Sequence, residues 1–121
     1  MSAPVWVGVA ALGGLGALAR FLLDGWISAR GSRGLPLGTL AVNASGALAL
    51  GLCAGVALSG DALLLLGTAT IGSYTTFSTW MFETHRLSED GQTRGALVNV
   101  LLSVALGLAA VALGRGLGEM L

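Results

Sequence analysis

The chain reads as an all-α integral membrane protein of four transmembrane helices, the third broken near its middle. Three observations lead there. The 121 residues are 55% hydrophobic and only 10% charged, against about 25% charged in soluble domains. The charges are also clustered, which leaves residues 1–19, 35–60, 62–82 and 95–114 without any. Each interval supplies roughly 20 residues, the length that crosses about 30 Å of hydrocarbon as a helix. Finally, residues 68–80, TATIGSYTTFSTW, bring five threonines, two serines and a glycine to membrane depth. A soluble four-helix bundle needs a polar stripe on every helix, and these intervals lack one.

Span 1 is expected over residues 5–23, with Arg20 near its end and Asp24 four residues on, along the same face. Ala17-Leu18-Ala19 has the small residues of a signal-peptide cleavage site. However, no basic residue precedes the apolar run, and Gly13, Gly14 and Gly16 interrupt it, so it is read as a retained span. A loop over 24–36 carries Arg30, Gly31, Arg33 and Gly34. Span 2 covers 37–58 and ends in the tight turn Ser59-Gly60-Asp61.

Span 3 covers 62–82. Leu63 to Leu66 lead in, and Trp80, Met81 and Phe82 lead out. Between them, glycine weakens the helix through backbone entropy and threonine through restricted χ1. Irregular backbone at membrane depth survives only where it is buried in protein or lines a cavity. The run 68–80 is therefore the first candidate for function. A charged loop over 83–94 follows, and span 4 covers 95–114, which makes residues 1–121 one four-span membrane domain.

Twenty glycines recur, several at small-xxx-small spacing: Ala47, Gly51 and Gly55, and again Gly114 and Gly118. Such strings let membrane helices approach closely. Arg20, Arg30, Arg33, Arg86 and Arg94 flank the two longer loops, while Arg115 sits on the opposite side. The positive-inside rule then puts those loops in the cytoplasm. Zero net charge gives no reason to expect nucleic acid. One cysteine and one histidine cannot build a disulfide framework or a metal-ligand cluster. Cys53 is read as a packing residue and His85 as an interfacial one, and the chain is not read as an enzyme.

Polar groups also line up inside the spans. Thr39, Asn43 and Gly46 share one face of span 2, and Asn99, Ser103 and Gly107 share one face of span 4. Buried amides and hydroxyls need partners, so these faces either bond helices together or form a narrow polar pathway. No carboxylate lies mid-span, whereas cation paths and proton-coupled exporters usually carry one. Hydroxyl and amide donors suit an anion, and the edge of the Phe77 ring adds a positive quadrupole lobe. A full positive charge would hold the ion too tightly for conduction. The alternatives are a small four-span cation or multidrug exporter, or a non-conducting membrane assembly subunit whose polar faces serve only as glue.

Three motifs carry a resemblance: Gly13-Gly14-x-Gly16-Ala17-x-x-Arg20-Phe21, Gly38-Thr39-Leu40-x-Val42-Asn43-x-x-Gly46, and Gly72-x-x-Thr75-Thr76-Phe77-Ser78-Thr79. In type, order and span they resemble the CrcB/Fluc fluoride channel family, over almost the whole chain. The resemblance implies a passive fluoride-specific channel in the cell membrane that exports fluoride and reduces its toxicity inside. It also implies a dual-topology, antiparallel homodimer with two pores built from both subunits. A heterodimer with an oppositely oriented paralogue is the alternative, given five arginines against one. Carried over by position, Asn43 donates to fluoride and Phe77 offers its ring edge. Thr76, Ser78 and Thr79 supply hydroxyls near the break, and Asn99 and Ser103 form a polar track; Thr39 joins the pathway from its shared face with Asn43. Backbone carbonyls of Gly72 and Thr75 hold a structural Na+, which is not transported. Arg20 and Glu83 are vestibule candidates. Trp80 stands where the family often has a second phenylalanine, and Asn99 where it often has a tyrosine; both keep a donor.

Overall fold

The computed structural model describes residues 1–31 and 34–121. Arg33, counted above in the charge bias, lies outside the described residues. In chain order the elements are α1 (Ala3–Ser28), α2 (Leu37–Gly55), α3 (Gly60–Ala62), a π-helical segment (Leu63–Ile71), α4 (Gly72–Tyr74), α5 (Ser78–Glu89) and α6 (Thr93–Glu119). Among the described residues there is no strand. Helices α1, α2 and α6 are each long and apolar enough to cross a membrane. The third hydrophobic region forms two arms instead. One runs from α3 through the π segment to α4, and the other is α5.

Helix ends differ from the sequence expectation for identifiable reasons. Charge does not stop a helix, so α1 continues past Arg20 and Asp24 to Ser28; the turn comes where Gly31 and Gly34 take φ of 82° and 84°. In the same way α5 runs through the expected loop to Glu89, and Gly91 at φ 78° provides the turn. Helix α2 stops at Gly55, three residues earlier than expected. Leu58 N–H reaches back to the Cys53 carbonyl at 2.9 Å across Ala57, which takes the left-handed φ of 55°. This is a Schellman-type ending. The turn at Ser59-Gly60-Asp61 follows as expected, with Gly60 at φ 58°.

Helices α2 and α6 form the most extensive pair, and their glycines explain why. A Cβ added at Gly51 would strike the Val111 carbonyl, and one at Gly55 the Arg115 carbonyl. From the other side, Gly114 lies against the Leu48 carbonyl and Gly118 against the Leu52 carbonyl. The two small-residue strings therefore interlock backbone against backbone. Helix α1 packs on the π segment and α4, whereas α5 packs on α6. The break thus carries the third region across α2, from the α1 side to the α6 side.

The core is thin. Val42 is the one large side chain with no exposure among the described residues, whereas Phe21 is 74% exposed and Val7 and Leu108 are each 68% exposed. In water such apolar surface is a liability; in a bilayer it meets lipid or another protein surface.

Candidate functional site

The helical ladder of the first arm ends where Thr75 N–H donates to the Ile71 carbonyl at 3.0 Å. The next donor, Thr76 N–H, would continue it to Gly72. Asn43 takes that donor instead: its Oδ1 accepts Thr76 N–H at 2.8 Å, and its Nδ2 donates to the Thr76 carbonyl at 2.8 Å. One side-chain amide from α2 thus satisfies both backbone groups of the residue at the break, as buried backbone requires. One Asn43 N–H remains. On the far side, Thr79 N–H donates to Thr76 Oγ1 at 3.2 Å, which caps the start of α5. Thr76 Oγ1 donates to Thr79 Oγ1 at 3.1 Å, and Ser78 Oγ lies 3.5 Å from the same oxygen.

Thr39, Asn43 and Gly46 of α2 all turn toward the third membrane region. The Thr39 hydroxyl donates to the Glu83 carboxylate, Asn43 holds Thr76, and a Cβ at Gly46 would strike the Thr75 methyl. Gly16 plays the same part on α1, where a Cβ would strike the Thr70 carbonyl and the Ser73 hydroxyl. Gly14 of the same motif has nothing nearby, so only part of the glycine string is steric. Arg20 and Asp24 share a face but do not pair. Arg20 Nη1 turns inward to the Thr75 carbonyl at 3.5 Å, and Asp24 accepts the Ser28 hydroxyl at 3.2 Å.

Recesses open on both sides of the break. One, of about 250 Å³, is lined by Ala17, Arg20, Asp24, Thr39, Thr76 and Thr79. Another, of about 330 Å³, is lined by Asn43, Gly72, Thr75, Thr76, Phe77 and Trp80. A third, of about 350 Å³, joins Asn43 and Trp80 to Ser103 and Gly107 of α6. Two buried polar atoms of that third recess, Trp80 Nε1 and Ser103 Oγ, have no hydrogen-bond partner. Each such atom costs about 1–3 kcal/mol, and an orphan of this kind in a native fold calls for a water or an ion. The Phe77 ring is 69% exposed and meets Trp80 edge-on, with centroids 5.7 Å apart and planes at 82°. It faces out of the chain rather than into an enclosed channel.

Glu83 lies just beyond the apolar stretch. Burial pushes its carboxyl above the usual carboxylate range and nearby Asp24 adds to this, while the Thr39 hydroxyl bond and Arg86 pull it back. Asn99 is buried at 3% exposure and donates through Nδ2 to Thr84 Oγ1 at 2.9 Å; Thr84 Oγ1 in turn donates to the Trp80 carbonyl at 2.7 Å. It lies a turn away from the third recess, tying α6 to α5. Thr84 is absent from the sequence expectation, which places residues 83–94 in a loop; its i+4 spacing from Trp80 is the available signal. The expectation also omits the Ser45 and Tyr74 hydroxyls, 2.7 Å apart. His85 sits exposed beside Glu89 at 3.0 Å.

Gly72 and Thr75 fit a hard cation in donor type. The Gly72 carbonyl has lost its helical donor to Asn43, the Thr75 carbonyl meets only the long Arg20 contact, and both residues border the same recess. Oxygen ligands are what such ions take. No cluster of three or more His, Cys, Asp or Glu exists among the described residues.

These features define a small multi-pass helical membrane protein with an uncharged, polar interruption in one membrane segment. The chain belongs to the CrcB family: the family model described as "CrcB-like protein, Camphor Resistance (CrcB)" matches residues 7–115. It is 56% identical over 116 residues to the "Fluoride-specific ion channel FluC 2" of Mycolicibacterium paratuberculosis, covering 96% of this chain and 95% of the relative. It is 50% identical over 120 residues to the protein of the same description from Mycobacterium bovis, covering 99% and 95%. It is 43% identical over 119 residues to the "Fluoride-specific ion channel FluC 1" of Symbiobacterium thermophilum, covering 93% and 96%.

Proposed function

We propose that this protein is a fluoride-specific ion channel that lets fluoride leave the cell passively and so lowers its toxicity inside. Relatives at 50% and 56% identity over nearly the whole chain are described as fluoride-specific ion channels. The observation in the molecule that carries the reading is the set of uncharged donors at the third recess. Trp80 Nε1 and Ser103 Oγ are unpaired, and Asn43 keeps one N–H after bonding Thr76. Such donors replace part of an anion's water shell without binding it as tightly as a full positive charge.

On this reading fluoride passes along the break. Thr39, Thr76, Ser78 and Thr79 supply hydroxyls on one side, and Asn43, Phe77, Trp80 and Ser103 supply donors and ring edges on the other. Asn99 extends the polar track, and Arg20 and Glu83 shape the vestibule. The Gly72 and Thr75 carbonyls hold a structural sodium ion, whose charge would fix the backbone of the break.

The domain is read as four spans over 5–23, 37–58, 62–82 and 95–114, the third crossing as two arms, in the cell membrane. The exposed Phe77 favours a second copy covering it, in an antiparallel homodimer with two pores. A heterodimer with an oppositely oriented paralogue is the alternative. Tags on each terminus decide between them: both orientations are expected for the protein expressed alone, and a single orientation excludes the homodimer.

Expression in cells that lack fluoride export should restore growth on fluoride. Absence of rescue with the protein verified in the membrane counts against the function. Phe77→Ile keeps apolar bulk and removes the ring edge. Because edge interactions are worth about 0.5–1.5 kcal/mol, fluoride conduction should fall about two- to ten-fold. Unchanged conduction in a flux assay removes the ring from the path.

A further inference from the structure

The segment leading into the break is wound more widely than the other described helices. Residues Leu63–Ile71 are π-helical over nine residues, whereas π geometry mostly appears as a single turn, frequently at functional sites. Thr70 supports the wide winding directly. Its hydroxyl donates to the Leu65 carbonyl, five residues back, at 2.7 Å. The i→i+5 ladder assigns that same carbonyl to the Thr70 N–H, so two donors of one residue hold one oxygen. The Thr70 carbonyl accepts the Ser73 hydroxyl at 3.1 Å. Gly16 of α1 rests on this point, since a Cβ there would strike both the Thr70 carbonyl and Ser73 Oγ. Thr70 thus joins the wide turn, the residues that follow it and the neighbouring helix.

The consequence falls at Thr76. Both of its bonds to Asn43 are 2.8 Å long, and a two-point pair needs the N–H and the C=O presented in one orientation. Each π ring encloses one residue more than an α ring. Rewinding Leu63–Ile71 as α-helix would therefore rotate and displace everything after it, and Thr76 would leave Asn43. We propose that Thr70 is a positioning residue: its hydroxyl holds the π register that delivers Thr76 to Asn43. The effect on flux rests on the channel reading above; the register does not.

The test compares Thr70→Val, which keeps the shape and removes the donor, with Thr70→Ser, which keeps the donor. The Thr76 amide is followed by solid-state NMR in bilayers, and fluoride efflux is measured beside it. Thr70→Val should shift the Thr76 resonance and lower efflux about five-fold, the worth of one hydrogen bond. Thr70→Ser should leave the resonance in place and keep efflux within about two-fold. An unmoved Thr76 amide in Thr70→Val overturns the proposal, whatever the flux. A moved resonance in Thr70→Val alongside a non-conducting wild type sustains the register and removes the channel reading instead. Should Thr70→Val not fold, infrared spectra of wild-type protein isotope-labelled at the Leu65 carbonyl decide the matter against a label at Leu64. The doubly bonded Leu65 carbonyl should absorb at lower frequency, and equal frequencies overturn the proposal.

Discussion

Asn43→Asp is expected to abolish fluoride flux while leaving a protein that still assembles in the membrane. The carboxylate can still accept Thr76 N–H, but it has no hydrogen for the Thr76 carbonyl that Asn43 Nδ2 holds at 2.8 Å. Two acceptors then face each other at the break, at a cost of about 1–3 kcal/mol. The larger effect is on the ion. A unit charge repels another at 4 Å by about 4 kcal/mol at an effective dielectric of 20, roughly a thousand-fold in rate by the transition-state relation. Liposome efflux gives the flux, and size-exclusion chromatography shows whether the assembly survives. Flux at the wild-type level would take the Asn43 amide out of the path.

Gly114→Ala should be among the most damaging single-methyl additions in the chain. Its Cβ would meet the Leu48 carbonyl and, at 2.9 Å, the Leu52 nitrogen. Both are backbone atoms of α2, so neither can swing aside, and the helices must separate. Overpacking of this kind costs about 1–3 kcal/mol. Gly107→Ala on the same helix is the control, because nothing lies within 4 Å of its Cβ. There, exchanging a mid-helix glycine for alanine should be neutral or stabilising by about 0.5–1 kcal/mol. Unfolding in a graded denaturing detergent ranks the two against wild type. Equal stability of Gly114→Ala and Gly107→Ala would mean that α2 and α6 are not in backbone contact.

The membrane character, the small-residue strings of α2 and α6 and the polar face of α2 were legible in sequence, because each follows from periodicity or composition; that the two strings meet each other was not. The position of the interruption was only partly so. Threonines 68 and 70 lie inside the π segment, and the backbone leaves the helix later, at Thr75 to Phe77. What decides the place is Asn43 on another helix, taking the bond that would have continued the ladder, and no local pattern encodes that contact. The π winding was hidden for a similar reason. Nothing in the run Leu63 to Leu66 marks a wide turn, and the Thr70-to-Leu65 bond exists only once that turn has formed. Arg20, a vestibule candidate by sequence, is drawn inward by the Thr75 carbonyl within its reach, a contact that no local pattern encodes. The expected charged loop failed over Glu83 to Glu89 because charged residues are ordinary on a helix leaving the membrane. That error concealed the Thr84 link between Trp80 and Asn99.

The central claim is that uncharged donors around the break pass fluoride and reject the larger chloride. Purified protein in liposomes loaded with both anions, read by fluoride- and chloride-selective electrodes, tests it most directly. The account predicts rapid fluoride efflux with negligible chloride efflux. Equal efflux of the two anions, or none of either from vesicles shown to hold folded protein, would contradict it.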